Sequence, residues 1–232
     1  MSNKVLMISG ATSSVGSELV NALSKKNYDL VLISKSKKRL MNLCEKVSKN
    51  NSNIILPINM DFYKSTKDDY LNLQNFLEKK ITQIDDFISF TSHFDKIEPI
   101  LSISQESFMK TFQINFFSQI LLINTIRNLL NKSHKKPSVT FTLESNSLSK
   151  NSYYGSFGLS VQLLKKTILS LNVENKKINF FGVIPGPLNS NIRKKMFPGE
   201  DLSNTNELSY LIQLYKEIIT GGNYSNNSQI IF

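Results

Sequence analysis

Short apolar runs rich in β-branched residues alternate along this chain with longer segments whose apolar residues recur every three or four positions. The first run, Val5 to Ile8, ends at Ser9-Gly10, and Val15, Leu19, Ala22 and Leu23 follow at helical spacing. Leu30 to Ile33 precedes a Lys/Arg-rich segment with Leu40, Leu43 and Val47 on one face. Ile54 to Met60 precedes an acidic-started segment carrying Leu71, Leu73, Phe76 and Leu77. Further strands are read at Phe87 to Phe90, Val139 to Leu143, Ile178 to Ile184 and Gln229 to Phe232. Between them lie helices over Phe108 to Leu130, Tyr154 to Leu171 and Glu207 to Ile219. A repeat of about 25 to 30 residues is that of βαβ units, because parallel neighbours need a crossover long enough to hold a helix. Seven strands and six crossovers predict an α/β fold, a doubly wound seven-stranded parallel sheet with helices on both faces.

No segment interrupts this pattern as a linker, so residues 1–232 are read as one domain, long enough to bury a two-sided core without disulfides or metals. The longest stretch without a clear element, 187–206, is read as a lid over a site. Cys44 is the one cysteine and forms no internal disulfide, and no Cys/His spacing points to a metal. The opening apolar run is too short for a signal peptide or a membrane span, so the expectation is a cytoplasmic chain with no targeting segment and no membrane partner. A net charge of +10 and a pI of about 9.5 raise the question of nucleic acid. The positive residues are scattered instead of gathered on one face, which argues against it.

Between the first strand and its helix stands Ser9-Gly10-Ala11-Thr12-Ser13-Ser14-Val15-Gly16. A glycine at 10 permits a tight turn, one at 16 lets the helix pack close to its strand, and the helix N-terminus offers N–H groups and a positive dipole to a pyrophosphate. Taken alone, such glycines also serve turn geometry only. After the second strand, Ser34-Lys35-Ser36-Lys37 stands where an acidic residue would bind ribose hydroxyls, which favours a 2′-phosphate. Lys35, Lys37, Lys38 and Arg39 read equally well as a solvated helix start.

Over nearly the whole chain these motifs and their spacing resemble the short-chain dehydrogenase/reductase family, whose members have a Rossmann fold. The glycine turn is similar to the family's Thr-Gly-x3-Gly-x-Gly, with Ser14 where a glycine usually lets the backbone approach the phosphates. The resemblance implies Gly10, Thr12, Ser13, Ser14, Val15 and Gly16 at a pyrophosphate, and Lys35 at a 2′-phosphate, hence NADP in preference to NAD if a cofactor binds. It implies Asp61 and Phe62 at the adenine, and Pro185, Gly186 and Ser190 at the nicotinamide carboxamide. It also implies a homo-oligomer paired through the two long middle helices that carry Asn115 and Phe157. Leu121, Leu122, Leu159 and Leu163 there read either as interface or as core.

The same resemblance exposes departures in the catalytic set. Family enzymes use a tyrosine as proton donor, a lysine four residues on that lowers its pKa, a serine thirteen residues before the tyrosine that orients substrate, and an asparagine at a helix kink that holds a water. The matching positions here are Phe157, Val161, Glu144 and Asn115, so only the asparagine is retained, with Ser145 a shifted candidate for the serine. Tyr153 and Tyr154 lie eleven or twelve residues from Lys165, about 16 to 18 Å along a helix, too far to couple. His93, at the end of the fourth strand, is the remaining candidate donor. Ser89-Phe90-Thr91-Ser92 replaces the family's Asn-Asn-Ala-Gly, which alters the cleft wall and threatens to crowd a cofactor ribose. Two functional readings follow, with a decayed product lacking any activity as a third. One is a non-catalytic relative that keeps NADP(H) as a sensor, scaffold or partner subunit. The other is an NADP-dependent carbonyl or alcohol oxidoreductase with a substituted proton donor, acting on a small molecule.

Overall fold

The first two strands, β1 (Lys4–Ser9) and β2 (Tyr28–Ser34), are apolar at successive positions because both faces of their sheet are covered. Val5, Met7, Val31 and Ile33 join one core, and Leu6, Ile8, Leu30 and Leu32 the other. The structure, a computed structural model, describes residues 3–49, 53–145, 153–221 and 230–231. In chain order the elements are β1, α1 (Ser14–Leu23), β2, α2 (Lys37–Ser48), β3 (Ile55–Asn59), α3 (Lys67–Lys80) and β4 (Asp86–Ser89). There follow α4 (Gln105–Phe112), α5 (Ser118–Asn131), β5 (Ser138–Thr142), α6 (Gly155–Glu174), β6 (Asn179–Val183), α7 (Asn191–Met196), α8 (Leu208–Thr220) and β7 (Ile230–Ile231).

The seven strands pair in parallel in the order β3-β2-β1-β4-β5-β6-β7, as the doubly wound expectation requires. Strand order reverses between β1 and β4, and the crossovers leave in opposite directions there, opening a crevice at the carboxyl ends of the strands. Helices α1, α2 and α8 bury Leu19, Leu43 and Tyr215 on one face of the sheet, and α3, α5 and α6 bury Leu77, Ile126 and Ile168 on the other. Among the described residues no helix is long and apolar enough to cross a membrane, and no three His, Cys, Asp or Glu side chains gather as a metal site.

Three details differ from the sequence expectation, and a fourth is only partly described. In α3 the core stripe is Tyr70, Leu73 and Leu77, whereas Leu71 and Phe76 face outward, 51% and 39% exposed. The i, i+3, i+7 set containing Tyr70 faces the sheet, and its phenol ring supplies the apolar area that leucine was expected to provide. The long middle helix is not continuous: Gln113–Phe117 forms a π-helical turn between α4 and α5. Segment 187–206 is not bare loop, since it contains α7 and a 3₁₀ turn (Leu202–Asn204) and is pinned by the Leu188–Asn206 bridge. Of the terminal strand, Ile230 and Ile231 pair with β6, while Gln229 and Phe232 lie outside the described residues.

At the amino ends of the strands, away from the crevice, Asp86 is 4% exposed, pairs with Lys4 at 2.8 Å and accepts from the Ser138 hydroxyl. Burial pushes its carboxyl up to about 6, against the pull of Lys4 and Ser138. The folded state therefore keeps a proton that the unfolded chain releases between its ordinary value of 3.8 and about 6. Stability is highest below that window and falls as pH rises through it, by roughly 2 to 3 kcal/mol in total. Asp86→Asn is expected to remove this fall. Denaturant unfolding at pH 4.5 and pH 7, treated as approximate test points for that window, measures it, and an unchanged pH profile in the variant would contradict the assignment.

Candidate functional site

The turn after β1 is fixed by close backbone approach. Gly10 has φ +66°, and a Cβ there would lie 2.6 Å from the carbonyl carbon of Phe90. A Cβ on Gly16 would lie 2.5 Å from the Gly10 carbonyl oxygen, so the first turn of α1 sits directly on the loop. Ser13 caps α1, its hydroxyl accepting from the Gly16 N–H at 3.0 Å, and Thr12 is joined to Ser34 by a 2.6 Å hydroxyl contact that ties the turn to β2. This leaves the N-terminus of α1 facing the crevice, with Ser14 and Val15 on its wall.

The crevice has two adjoining halves that share Ser13, Phe90, Thr91, Ser92, Asn191 and Ile192. One half carries cations on a mixed wall: Gly10, Thr12, Ser34, Lys35, Arg39, Asp61, Phe62, His93 and Lys195 line it, together with Met60, Phe94 and Ile114. The expected adenosine-side residues are thus brought together. Phe62 is 6% exposed and packs mainly into the core, so only its edge reaches the wall. Asp61 accepts from the Tyr63 N–H at 3.0 Å.

The other half is mostly apolar. Val15, Leu143, Phe157, Val161, Leu188, Ile192 and Met196 line it, together with Pro185, Gly186, Ser190, Glu144 and Arg193. Glu144, Phe157 and Val161 therefore share one cavity with Pro185, Gly186 and Ser190. Phe157 stacks edge-on against Phe94 with ring centroids 5.5 Å apart. Ser190 caps α7, accepting from the Arg193 N–H at 3.2 Å, while Asn206 donates to the Pro185 carbonyl at 2.9 Å and holds the strap. No tyrosine, lysine or histidine is among the described residues lining this half, and Glu144, not Ser145, occupies its wall. Tyr154 is buried in the core beneath it. His93 lines the cationic half and not the apolar half, and burial, with Lys110 next, lowers the pKa of its imidazole.

Asn115 sits within the π turn and braces the wall. It accepts from the His93 N–H at 2.7 Å, donates to the His93 carbonyl at 2.9 Å and donates to the Ser160 hydroxyl at 3.1 Å. The altered segment after β4 has polar bridging of its own: Thr91 donates to Ser9, Ser9 to Ser89 and Ser89 to Gln119, at 2.6 to 3.0 Å. The Phe90 ring packs edge-on against Tyr215, ring centroids 5.1 Å apart, while Phe90 also lines both halves of the crevice.

Sequence reasoning missed Arg193 and Lys195. Arg193 is 7% exposed, held by Glu200 through two hydrogen bonds of 2.5 and 2.6 Å, with Glu144 3.8 Å from its third nitrogen. The available signal was the run Arg193-Lys194-Lys195 following Ser190, which has the form of a capped helix start.

The family model described as short chain dehydrogenase matches residues 4–201. The chain belongs to this family. Similar to it is an uncharacterized oxidoreductase of Saccharomyces cerevisiae, 24% identical over 202 residues that cover 84% of this chain and 76% of the yeast protein. Among solved structures, a short chain dehydrogenase of Shigella flexneri complexed with NADP superposes with a TM-score of 0.92 at 16% identity, covering 100% of this chain and 97% of that one. One of Escherichia coli complexed with NADPH gives 0.91 at 15% identity, covering 100% and 96%. Within this short chain dehydrogenase, the start of α1 on the crevice wall and the Lys35 and Arg39 side chains on the cationic wall fit a phosphorylated dinucleotide.

Proposed function

We propose that this short chain dehydrogenase binds NADP(H) in the crevice and holds it without turnover, as a sensor, scaffold or partner subunit. The observation that carries the reading is the shared apolar cavity of Phe157 and Val161 with Glu144, at the positions where the family resemblance calls for a phenol, an amine and a hydroxyl. Gly10, Thr12, Ser13, Ser14 and Val15 would receive the pyrophosphate at the start of α1, with Gly16 packing that helix onto the loop, and Lys35 with Arg39 would receive the 2′-phosphate. Asp61 and the edge of Phe62 would border the adenine, and Pro185, Gly186 and Ser190 the carboxamide. When bound, the nicotinamide supplies a hydride. Hydride transfer to a carbonyl needs a proton delivered in step, and Phe157 and Val161 have none to give.

The reading extends to assembly and place. The chain acts as one unit in the cytoplasm, paired through its two long middle helices. Phe108, Met109, Phe117 and Leu121 of α4 to α5, and Leu163 of α6, are 37% to 57% exposed there, an apolar surface that favours pairing, whereas Leu122 is core.

Quenching or shift of NADPH fluorescence tests the cofactor reading. Saturable binding is expected, and replacing both Lys35 and Arg39 by alanine is expected to weaken NADPH about tenfold while leaving NADH within about threefold. No saturation at millimolar NADPH, or equal loss for both dinucleotides, would contradict it.

A further inference from the structure

The residues of α7 sort by helix face between the two halves of the crevice. Arg193 and Met196, three apart, line the apolar half alone, and Asn191 and Ile192, at the seam, line both. Lys195, one turn past Asn191 and so on the same side of the helix, lines the cationic half alone. The two hydrogen bonds from Arg193 to Glu200 hold the helix in this rotation. Lys35 reaches the cationic half from the end of β2 and Lys195 from the strap beyond β6, on opposite sides of the switch between β1 and β4. Burial lowers the pKa of the His93 imidazole first, and the charges of Lys110, Lys35 and Lys195 lower it further, against the pull of Asp95. Lys35 and Lys195 thus act on one point from two walls. Among the described residues neither they nor Arg39 form an ion pair. These three cations face the single lining carboxylate of Asp61, so this half is net positive, and an anion placed among them would relieve their mutual repulsion.

A phosphorylated dinucleotide brings two anionic groups, and the cations at the end of β2 and the start of α2 serve only the 2′-phosphate. The pyrophosphate belongs at Ser13, which is shared by both halves, as are Asn191 and Ile192 of the strap. The lining cation carried by that part of the strap is Lys195. Resting on the reading of the crevice as an NADP(H) site, we infer that Lys195 is a pyrophosphate-binding residue, meeting the anion from the strap while the N–H groups at the start of α1 meet it from the turn. An ammonium is a point charge with freely turning donors, suited to a pyrophosphate whose oxygens point several ways. The two sets of cations then have different consequences. Lys35 and Arg39 distinguish the phosphorylated dinucleotide from its unphosphorylated form, whereas Lys195 strengthens both by the same factor.

Dissociation constants on the full chain test this, for NADPH and NADH by their fluorescence and for adenosine 2′-phosphate, which lacks a pyrophosphate, by its displacement of NADPH. Lys195→Gln is expected to weaken NADPH and NADH alike by about fivefold, the worth of one charge-assisted contact at an exposed side chain, and to leave adenosine 2′-phosphate within about twofold. Lys195→Arg keeps the charge and is expected to hold both dinucleotides within about twofold of the parent. Lys194→Gln removes the same charge from a residue that lines neither half, and is expected to change none of the three ligands. Losses in Lys195→Gln no larger than those in Lys194→Gln would overturn the assignment. So would a loss for NADPH and adenosine 2′-phosphate with NADH spared, which would put Lys195 at the 2′-phosphate; in either case binding by the parent would preserve the site reading. A parent chain that binds neither dinucleotide at millimolar concentration would overturn both.

Discussion

Glu144→Ser, Phe157→Tyr and Val161→Lys combined in one chain are expected to raise NADPH-dependent reduction of carbonyl compounds by about 10² to 10⁴ over the parent, the usual worth of a positioned proton donor. Positions 157 and 161 lie one turn apart on α6, so a phenol and an ammonium introduced there would share one face above the cavity. The ammonium would favour the phenolate by direct attraction, which a donor working near neutral pH requires. Single substitutions are expected to gain little, because groups that act as a unit lose their effect together. A folded triple variant that binds NADPH and gains no activity would contradict the placement of these three positions over the nicotinamide.

Gly10→Ala is expected to cost roughly 2 to 5 kcal/mol of stability and to abolish NADPH binding, combining a left-handed backbone penalty with a steric clash. The neighbours of the added Cβ are all backbone atoms of Phe90 and Thr91, at 2.6 to 2.8 Å, so no side chain can swing aside. Either the turn moves away from β4 or the start of α1 does, and the anion-facing N–H groups move with it. Gly199 has no atom within 4 Å of the added Cβ, and Gly199→Ala is expected to stay within about 0.5 kcal/mol of the parent. Denaturant midpoints for the two variants decide the matter, and a Gly10→Ala protein as stable as the Gly199→Ala control would refute the close approach.

The sheet was legible because burial on two faces writes itself as unbroken apolar runs such as Val5 to Ile8, and the glycine turn because only glycine tolerates its geometry. Residues whose roles depend on distant partners were not. The family resemblance led to a helix kink at Asn115 but not to its form as a π turn, nor to the bonds that Asn115 makes with His93 and Ser160, 22 and 45 residues away. The hydroxyl chain from Thr91 through Ser9 and Ser89 to Gln119 joins two strands and a helix, and a serine or threonine carries no local mark of such a partner. Arg193 was hidden for a related reason: in sequence it is one of three consecutive cations, and only the fold turns it inward to Glu200 and Glu144 while Lys194 remains exposed. Tyr70 displaced Leu71 from the core of α3 because helix phase, not hydrophobicity alone, decides which residue meets the sheet.

The most direct measurement is the rate of NADPH oxidation by the unsubstituted protein, with the cofactor shown by fluorescence to be bound, across a panel of aldehydes and ketones. The expected result is a bound cofactor oxidised no faster than in buffer. A rate within about tenfold of ordinary family enzymes would contradict the loss of the proton relay at Phe157 and Val161.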